Sequence, residues 1–396
     1  MSKIKSLSDN ADIKNKRIIV RLDFNVPIIN KLIQDNTRID LCVPFIKKLL
    51  NRNAKIFLVS HLGRPKNKSD TNLTLKPVFE YLKKIIPNNI FFYEEKIDEN
   101  TKKKVSFLKN GELLLFENIR FNSGETKNDD QFCKNLSSFG DIFINDAFSC
   151  SHRKQSSIHK ITKYIKSSYA GPLLLKEINA IDMIMNTKKK PVTCIIGGAK
   201  ISTKIGVILS LIEKVEFLIV VGAMANNFIK FKKKNVGKSL IEENSQKIIK
   251  EIYNKANTHN CEIIIPVDYI VAKNTKDDSN LKITDNVLKE EMILDIGPKT
   301  IEIINKTVEV SKTVLWNGPA GFFENKNFSN GTISIAKKIS QETIKNSLIS
   351  IVGGGDTISA IKSIDLPINF THLSTAGGAF LEYIEGKNLP GIEVLK

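Results

Sequence analysis

The stretch RIIVRLDFNVP, residues 17–27, decides the fold of the first half of the chain. It opens with a short apolar run that predicts a buried strand. A cation, a carboxylate and an amide follow at Arg21, Asp23 and Asn25. In an open parallel sheet, ligands bind beyond the carboxyl ends of the strands. The stretch therefore predicts an anion-binding site at the end of a strand.

Further pairs of an apolar run and a basic segment recur up to residue 153. The apolar runs are KIFLV (55–59), ELLLF (112–116) and DIFI (141–144). The basic segments are TRI (37–39), SHLGRP (60–65), ENIRF (117–121) and SHR (151–153). Residues that are distant in sequence converge at the carboxyl edge of a parallel sheet. We therefore expect the first half to bind a small, strongly negative molecule.

Strand-length apolar runs alternate with amphipathic segments such as 41–50 and 75–86, whose apolar residues recur at helical spacing. This alternation predicts an α/β chain with a parallel sheet and helices on both faces. A helix-like connector follows Gly171, and beyond Pro191 the alternation restarts. The apolar runs of the second half are PVTCIIGG (from 191), EFLIVVG (from 216), EIIIPVDYIVA (from 262), TVLWNGP (from 313), ISIVGGG (from 349) and THLST (from 371). Three of them end in glycine and a fourth in Gly-Pro, which favours nucleotide binding at strand-to-helix turns.

Length and composition are those of a globular protein with two substantial domains. The chain has 396 residues, of which 41% are hydrophobic and 26% charged. Its longest uncharged run, 366–381, is shorter than the roughly 18 apolar residues of a membrane span, and the N-terminal segment has no apolar signal core. The five cysteines form no CxxC pair, so we expect reduced thiols and no zinc site. We expect a cytoplasmic protein that does not bind membranes.

The formal net charge of +18 raises the alternative of a basic nucleic-acid-binding protein. The excess is mostly lysine, and it is spread along the chain in short clusters such as 102–104 and 232–234. No arginine-rich tail and no aromatic residues interleaved with basic clusters accompany it. Solvated lysine faces are the simpler interpretation, and a steeply salt-dependent affinity for nucleic acid would favour the alternative.

The sequence matches neither of two standard nucleotide-binding motifs. The segment ending in Gly237, Lys238 and Ser239 lacks the earlier glycine of a P-loop, because residue 232 is lysine. GGGDTI (353–358) ends in isoleucine where GxGxxG requires glycine. The missing GxGxxG also counts against a nicotinamide-dependent dehydrogenase.

Three other segments of the second half carry phosphate-binding chemistry. In GGAKISTK (197–204), we expect Lys200 and Lys204 on one face of a helix that begins at a glycine turn. IVGGGDT (351–357) offers Asp356 as a carboxylate for Mg²⁺; a tight turn with an aspartate N-cap is the alternative. WNGPAGFFE (316–324) places Asn317 and Glu324 on a loop, where Glu324 either holds ribose hydroxyls or is simply solvated.

Together these segments resemble the phosphoglycerate kinase family from end to end. RLDFNVP, TRI, SHLGRP, ENIRF, DAFSCSHR, GGAKISTK, NVGKS, PVD, DIGP, WNGPAGFFE, IVGGGDT and STAGGAFLEYIEGK occur in the family's order and nearly its spacing. The resemblance implies reversible phosphoryl transfer from 1,3-bisphosphoglycerate to MgADP, giving 3-phosphoglycerate and MgATP in glycolysis. It also implies a monomer that needs Mg²⁺, uses ATP or ADP as co-substrate and acts on small molecules, not nucleic acid.

The fold that the resemblance implies is two doubly wound, Rossmann-like parallel-sheet domains that face each other across a hinged cleft. Residues 1–170 would bind phosphoglycerate, 171–187 would form the connector helix, 188–377 would bind nucleotide, and 378–396 would return as a tail to the first domain.

The family's site residues carry over position by position. The phosphoglycerate would be held by Asp23, Phe24, Asn25, Arg38, His61, Leu62, Gly63, Arg64, Arg120 and Arg153. The nucleotide would be held by Gly198, Ala199, Lys200, Lys204, Asn317, Glu324, Gly353, Gly354, Gly355, Asp356 and Thr357, with Asp356 as the metal ligand. The catalytic residues would be Arg38, Lys204 and Gly378.

This chain departs from the family pattern at three places. Ala223 and Ala376 stand in segments where the family usually has glycine triplets, and Ser149-Cys150 replaces a glycine-containing pair. Alanine disfavours positive φ, so we expect altered affinity at these loops rather than lost chemistry. A catalytically silent scaffold of the same fold is a further alternative, and the presence of Arg38, Lys204 and Asp356 argues against it.

Overall fold

The computed structural model describes residues 4–66, 70–276, 281–364 and 367–396. The chain divides into two compact units, one formed by Met1–Ile178 together with Asn388–Lys396, the other by Asn179–Lys387. The expected α/β class, with a parallel sheet in each half of the chain, is confirmed. Among the helices of the described ranges, none has the length and apolarity needed to span a bilayer.

The first unit alternates strands and helices along its whole length. Its elements are β1 (Arg17–Arg21), β2 (Ile28–Ile29), β3 (Leu32–Ile33), α1 (Thr37–Asn51), β4 (Lys55–Val59), α2 (Lys76–Ile85), β5 (Ile90–Tyr93), α3 (Thr101–Lys104), β6 (Leu113–Phe116), α4 (Ser123–Lys127), α5 (Asp130–Ser137), β7 (Ile142–Asn145), α6 (Ile161–Tyr164) and β8 (Ser168–Ala170). Helix α7 (Pro172–Met185) contains the boundary between the units, which falls after Ile178. Six strands form a parallel sheet in the order β5-β6-β4-β1-β7-β8, and β2 and β3 form a small antiparallel hairpin.

Helices cover both faces of this sheet, as a doubly wound fold requires. Ile18 and Val20 of β1 belong to an apolar cluster that includes residues of α1 and α2. Ile19, which points the other way, belongs to a second cluster with residues of α5 and α6. Burying each such side chain contributes roughly 1.5–3 kcal/mol of stability. The β-branched run at 18–20 therefore forms a central strand because both of its faces are buried.

The second unit repeats this plan and adds a small antiparallel sheet. Its elements are β9 (Val192–Ile196), α8 (Ile205–Ile212), β10 (Phe217–Val220), α9 (Ala225–Phe231), α10 (Ser245–Thr258), β11 (Glu262–Ile264), β12 (Tyr269–Ala272), β13 (Lys282–Thr284), β14 (Met292–Ile296), α11 (Pro298–Val310), β15 (Thr313–Asn317), α12 (Asn330–Asn346), β16 (Ile349–Gly353), α13 (Gly355–Lys362), β17 (His372–Ser374) and α14 (Gly378–Ile384). The parallel sheet has the order β11-β10-β9-β15-β16-β17, and the antiparallel sheet has the order β13-β12-β14.

The last helix, α15 (Pro390–Glu393), belongs to the first unit. The Gly391 N–H donates to the Ser151 carbonyl at 2.8 Å, and the Asn145 side chain donates to the Gly391 carbonyl at 3.1 Å. Near it, the Lys5 N–H donates to the Leu395 carbonyl at 2.9 Å. Backbone hydrogen bonds therefore bind this segment to the first unit.

The interpretation of EIIIPVDYIVA as one strand was wrong. It forms β11 and β12, which belong to different sheets. Pro266 interrupts the run because it has no N–H to donate to a neighbouring strand. The following Asp268 turns its carboxylate to the start of α11, where it accepts hydrogen bonds from the Lys299 and Thr300 N–H groups at 3.0 and 2.8 Å.

The strand orders define one crevice in each unit. In the first sheet the chain runs from β1 outward through β4 on one side and continues through β7 on the other, so the order reverses between β1 and β7. In the second sheet it reverses between β9 and β15. Loops that leave neighbouring strands in opposite directions open a crevice at their carboxyl ends, which is where doubly wound sheets bind ligands.

Candidate active site

In the first unit, predicted substrate-binding residues from four segments meet at the carboxyl ends of the strands. Asp23 follows β1, His61 follows β4, Arg120 follows β6, and Arg153 follows β7. Because β1 and β7 are the strands between which the order reverses, these residues lie at the crevice of the first sheet. We refer to Asp23, Arg38, His61, Arg120 and Arg153 as the basic cluster.

Arg38, in the first turn of α1, is held against the loop that follows β1. Its Nη1 donates to Asp23 Oδ2 at 2.9 Å and to the Asn25 carbonyl at 3.0 Å. The Arg38 side chain is 28% exposed. Burial alone would favour the neutral carboxyl, but the Arg38 guanidinium holds the pKa of Asp23 below its usual value. Asp23 is therefore ionised at neutral pH and fixes the direction of Arg38.

Arg21 lies beneath the basic cluster and is fully buried. Its Nε donates to Ser157 Oγ at 3.0 Å, and its Nη2 donates to His61 Nδ1 at 3.3 Å. Because a guanidinium can only donate, Nδ1 of His61 is the acceptor and the ring proton is on Nε2. Burial, and next the Arg21 charge, lower the pKa of His61 well below its ordinary value. His61 is therefore a neutral imidazole, and the hydrogen bond from Arg21 fixes the orientation of its ring.

The loop after β4 is fixed by hydrogen bonds to its backbone. The Gly63 N–H donates to Asn25 Oδ1 at 2.8 Å, and Asn118 Nδ2 donates to the Leu62 carbonyl at 2.7 Å. Gly63 has φ +58°, a conformation that favours glycine. The side chains of Phe24 and Leu62 are buried, so these two residues have only backbone groups to offer a ligand.

Arg120 gives the clearest indication of an anion-binding position. Its Nη1 donates to the Gly63 carbonyl at 2.5 Å, whereas Nε and Nη2 are buried and, within the described part of the chain, make no hydrogen bond. Burial, and next the charge of Arg153, lower the pKa of Arg120 to about 10. Buried donors without acceptors are costly, so two of them on one guanidinium indicate a place for phosphate or carboxylate oxygens.

The other two predicted arginines are more exposed. Arg64 is on the surface of the loop after β4. Arg153 is half-buried, and its Nε donates to His152 Nε2 at 3.1 Å. Arg153 lies close enough to Arg120 to lower its pKa, so the two guanidinium groups repel each other. An anionic ligand between them would relieve that repulsion.

In the second unit, Lys204 joins the ends of two strands at the crevice. Its Nζ donates to the Gly197 carbonyl after β9 at 2.6 Å and to Asn317 Oδ1 at the end of β15 at 2.8 Å. Asn317 Nδ2 in turn donates to the carbonyl of Gly353, the last residue of β16, at 2.9 Å. Burial lowers the pKa of Lys204 to about 8, which leaves most of this ammonium charged at neutral pH.

The glycine-rich turn after β16 leads directly into α13. Gly354 has φ +104°, and the Thr357 hydroxyl accepts a hydrogen bond from the Gly318 N–H at 2.7 Å. Asp356 is exposed in the first turn of α13. The alternative that Asp356 is the N-cap was wrong, because Gly354 occupies that position and no side chain caps the helix. An exposed carboxylate at the end of a glycine turn suits a hard divalent cation.

The prediction that one helix carries both Lys200 and Lys204 was wrong. Helix α8 begins only at Ile205, with Lys204 as its N-cap, and Lys200 is exposed in the preceding turn. The hydroxyl of Thr203 donates to the Lys200 carbonyl at 2.9 Å, and the Ser202 N–H donates to a Glu242 carboxylate oxygen at 3.1 Å. The Thr203 bond is a local side-chain-to-backbone bond of the kind that competes with a helix, whereas Glu242 holds the Ser202 N–H from a distant part of the chain.

The remaining predicted nucleotide residues lie in loops or at element ends. Gly198 has φ +125°, and a Cβ built on it would lie 3.3 Å from Lys204 Nζ. Ala199 and Glu324 are exposed in turns, and Gly378 is the exposed first residue of α14. Gly353 and Gly355 flank Gly354 at the end of β16 and the start of α13.

The two alanine departures do not occupy strained positions. Neither Ala223 nor Ala376 has a positive φ, whereas the neighbouring Gly222 has φ +67°. A Cβ built on Gly222 would lie 2.9 Å from the Gly198 nitrogen. The backbone position that requires glycine has therefore kept it.

Sequence reasoning missed the contacts made by Ser149 and Cys150. The Ser149 hydroxyl donates to Asp23 Oδ2, and the Cys150 sulfur lies 3.8 Å from His61 Nδ1. The signal that would find these contacts is the pairing of β7 with β1, which brings the loops after both strands together.

Comparison with known proteins identifies the family of the chain. The phosphoglycerate kinase family model matches residues 8–387. A phosphoglycerate kinase of Wolbachia sp. subsp. Drosophila simulans (strain wRi) is 44% identical over 390 residues, covering 98% of both chains. One of Orientia tsutsugamushi (strain Ikeda) is 43% identical over 398 residues, covering 100% of this chain and 98% of the relative.

Solved structures of the same family have a similar fold. The structure of phosphoglycerate kinase from Coxiella burnetii superposes with a TM-score of 0.88 at 37% identity, covering 99% of this chain and 98% of that one. The crystal structure of phosphoglycerate kinase from Pyrococcus horikoshii OT3 has a TM-score of 0.82 at 26% identity, covering 98% and 97%. On these matches, the chain belongs to the phosphoglycerate kinase family.

Proposed function

We propose that this phosphotransferase binds 3-phosphoglycerate or 1,3-bisphosphoglycerate at the basic cluster and ATP or ADP around Lys204 and the turn at 353–357. The acceptor of the family's reaction is the carboxyl group of 3-phosphoglycerate, and the reverse direction makes ATP. The observation that carries the proposal is that each predicted set has members on or directly after the two strands between which its sheet's order reverses: Asp23 and Arg153 follow β1 and β7, Lys204 follows β9 and Asn317 ends β15. That position is the ligand crevice of a doubly wound sheet.

The acceptor explains why the site has many cations and needs no base. A carboxylate has an ordinary pKa of about 4, so it is ionised at neutral pH and attacks without losing a proton. Catalysis then depends on aligning two anionic reactants and stabilising the charge on the transferred oxygens. Arg38 and Lys204 are held by hydrogen bonds that fix where their charges lie, which favours this role.

Arg120 supports binding of the triose phosphate. Its buried Nε and Nη2 groups have donors to offer, and a bidentate pairing with phosphate or carboxylate would satisfy both. We propose that Arg64 and Arg153 complete the shell around the same anion. Asp23 and Asn25 hold Arg38 and Gly63 in place.

Mg²⁺ fits the second unit at Asp356. A bound Mg²⁺ would neutralise negative charge on the nucleotide phosphates. Asp356 would hold the ion, and the Thr357 hydroxyl keeps the glycine turn closed through its hydrogen bond with Gly318. Lys204 and Asn317 connect this turn to the ends of β9 and β15.

We further propose that a hinge motion brings the two bound substrates to reacting distance, since the two sets of residues belong to different units. Residues 1–170, 188–377, the connector 171–187 and the tail 378–396 are our proposed functional divisions. A cytoplasmic monomer that binds no nucleic acid is part of the same proposal. The five thiols are free, as a reducing compartment would keep them.

A coupled assay tests the proposal. Purified protein with 3-phosphoglycerate, ATP and Mg²⁺ should form ADP, and omitting either Mg²⁺ or the acid should abolish turnover. A titration with labelled duplex and single-stranded DNA at two salt concentrations is the companion measurement. Turnover without 3-phosphoglycerate, or tight salt-dependent DNA binding without kinase activity, would contradict the proposal.

A further inference from the structure

A series of buried hydrogen bonds connects His61 to Glu125, a carboxylate that the proposed mechanism does not use. Glu125 Oε1 accepts from the Ser157 hydroxyl at 2.7 Å, and Glu125 Oε2 accepts from the Ser157 N–H at 2.9 Å. Ser157 Oγ accepts from Arg21 Nε at 3.0 Å, and Arg21 Nη2 donates to His61 Nδ1 at 3.3 Å. Glu125, Ser157 and Arg21 are each at most 1% exposed. We refer to these three residues as the buried relay.

The order of donors and acceptors along the buried relay is fixed. A guanidinium can only donate, so Ser157 Oγ accepts from Arg21 and directs its own proton to Glu125. Burial raises the pKa of Glu125, and the Arg21 charge is the largest of the influences that lower it. Both oxygens of Glu125 accept hydrogen bonds, as those of an ionised carboxylate do. The buried relay therefore connects a cation to an anion through one hydroxyl.

Arg21 needs this anion because a charge taken out of water is costly unless hydrogen bonds and an opposite charge compensate it. Its hydrogen bonds within the described ranges go to four groups, which are Ser157 Oγ, the Leu22 carbonyl, His61 Nδ1 and the Cys150 sulfur. All four are neutral, since His61 is an uncharged imidazole and burial raises the pKa of the Cys150 thiol. Glu125, one serine away, supplies the negative charge and so holds the guanidinium in its place.

The position of Arg21 determines which nitrogen of His61 has the proton. Because Nη2 donates to Nδ1, the neutral ring is protonated on Nε2. Nε2 has no hydrogen-bond partner in the part of the chain that the structure describes, and it retains contact with solvent. Its N–H is therefore available to a ligand. Only this tautomer offers a donor at Nε2, and an anion requires a donor.

We propose that Glu125 and Ser157 are positioning residues for substrate binding. Acting through Arg21, they hold His61 in the tautomer whose Nε2–H donates to an oxygen of the triose phosphate. Neither residue touches a reactant, and no proton moves along the buried relay. The effect on the substrate rests on the proposed function, whereas the control of the tautomer does not.

Ser157→Ala interrupts the buried relay with the smallest change, and Ser156→Ala is its matched control. Both serines are buried, but Ser156 Oγ donates to the Gly124 carbonyl at 2.9 Å and is outside the relay. Ser157→Ala removes the acceptor of Arg21 Nε and separates the guanidinium from its anion. Removal of a buried partner leaves such a donor unsatisfied, so we expect Arg21 to shift away from His61.

Nuclear magnetic resonance of full-length protein labelled with ¹⁵N-histidine measures the tautomer directly, without substrate. The spectrum of His61→Gln identifies the signals of His61. In the wild type and in Ser156→Ala, Nδ1 of His61 should be unprotonated and Nε2 protonated. In Ser157→Ala, the two nitrogen signals should move towards each other as both tautomers become populated.

Coupled kinetics measure the effect on the substrate. Ser157→Ala and Glu125→Gln should each raise the KM for 3-phosphoglycerate about fivefold or more, because the donor that binds it is no longer held in place. The KM for ATP should stay within about twofold, because the nucleotide residues belong to the other unit. The double variant should be no worse than the more severe single variant, since both substitutions interrupt one series of bonds.

A wild-type tautomer in Ser157→Ala overturns the control of His61 by the buried relay. A changed tautomer with an unchanged KM for 3-phosphoglycerate overturns the effect on the substrate, and so does an equal rise of this KM in Ser156→Ala. If Glu125→Gln does not fold, the comparison of the two serine variants still decides. Absent turnover in the wild type overturns the proposed function instead, and the tautomer measurement is independent of it.

Discussion

Arg38 is the residue on which the transfer step should depend most. Its guanidinium is oriented by Asp23 and by the Asn25 carbonyl, and this orientation is lost in Arg38→Ala. We expect kcat to fall by about 100-fold or more, and ADP binding to stay nearly unchanged because the nucleotide residues belong to the other unit. Coupled kinetics and equilibrium ADP titration measure the two effects.

Arg17→Ala is the matched control for that variant. Arg17 opens β1, at the end of the strand opposite to the basic cluster, and pairs with Asp141 on the surface. Its loss should cost at most about 1 kcal/mol of stability and leave kcat unchanged. Retained turnover in Arg38→Ala would refute the role of Arg38 in the transition state.

Asp356 should control the metal dependence. Asp356→Asn keeps the size of the side chain but removes the charge, so we expect Mg²⁺-dependent ADP binding to weaken by about tenfold or more, equivalent to 1.4 kcal/mol. Titrations of ADP at several Mg²⁺ concentrations check this expectation. The same metal dependence in wild type and variant would exclude Asp356 as a ligand.

At the scale of elements, the turn between β16 and α13 offers a sharp comparison of two glycines. Gly354 has φ +104°, and a Cβ built on it would lie 2.9 Å from Asn317 Nδ2; Gly355 has no atom within 4 Å of such a Cβ and no positive φ. Gly354→Ala should lower the free energy of unfolding by about 1–3 kcal/mol, whereas Gly355→Ala should change it by less than about 1 kcal/mol.

The fluorescence of the single tryptophan measures the stability of the second unit, which contains this turn. Trp316 is fully buried in β15, one residue before Asn317, so its fluorescence in urea follows unfolding of the second unit. Equal stability of the two alanine variants would show that the strained turn contributes nothing.

The start of α7 should make stability depend on pH. Asp146 is buried, its Oδ1 accepts from the Leu174 N–H at 2.9 Å, and burial raises its pKa to about 7. Between the unfolded pKa near 4 and about 7, the folded state binds the extra proton, so stability falls as pH rises through this window. Asp146→Asn removes this titration, so its stability should fall less than that of the wild type over the same window.

Urea unfolding followed by circular dichroism at pH 5 and pH 8 measures the effect. The wild-type midpoint should decrease relative to that of Asp146→Asn as the pH increases. Asp295, whose pKa burial also raises to about 7, is present in both proteins and cancels from the comparison. Parallel pH profiles would contradict the assignment to Asp146.

Elements formed by buried, β-branched runs were predictable. KIFLV forms β4 over its full length, and the amphipathic segments 41–50 and 75–86 lie in helices α1 and α2 or within one residue of their ends. The failures came where a side chain bonds locally to backbone, as at Thr203, or where a proline splits an apolar run. Neither effect appears in hydrophobic periodicity.

At the scale of the whole molecule, we expect that binding both substrates decreases the radius of gyration of the enzyme. If a hinge motion precedes transfer, the radius of gyration from small-angle X-ray scattering should decrease when 3-phosphoglycerate and an unreactive ATP analogue are both present. Each ligand alone should produce a smaller change, because only the ternary complex joins both sites. An unchanged scattering curve in the ternary complex of active enzyme would contradict the hinge.

The grouping of site residues by unit was predictable, but their contacts within each site were not. Motifs identified Asp23, Arg38 and Lys204, since charged residues after strands are visible in the sequence. The contact between Cys150 and His61 depends on β7 lying beside β1, although 89 residues separate the two side chains. Strand order is set by the packing of the entire sheet, so no local pattern contains it.

The attachment of residues 388–396 to the first unit has a consequence for synthesis. A ribosome translates these residues after the whole of the second unit. The second unit is contiguous in the sequence, so it can bury its own core while translation continues. Until Gly391 is translated, Ser151 and Ile158 of the first unit stay uncovered, because Gly391 packs against both. The first unit is therefore the last part of the nascent chain to be completed. Its uncovered residues would be accessible to chaperones for longer than those of the second unit.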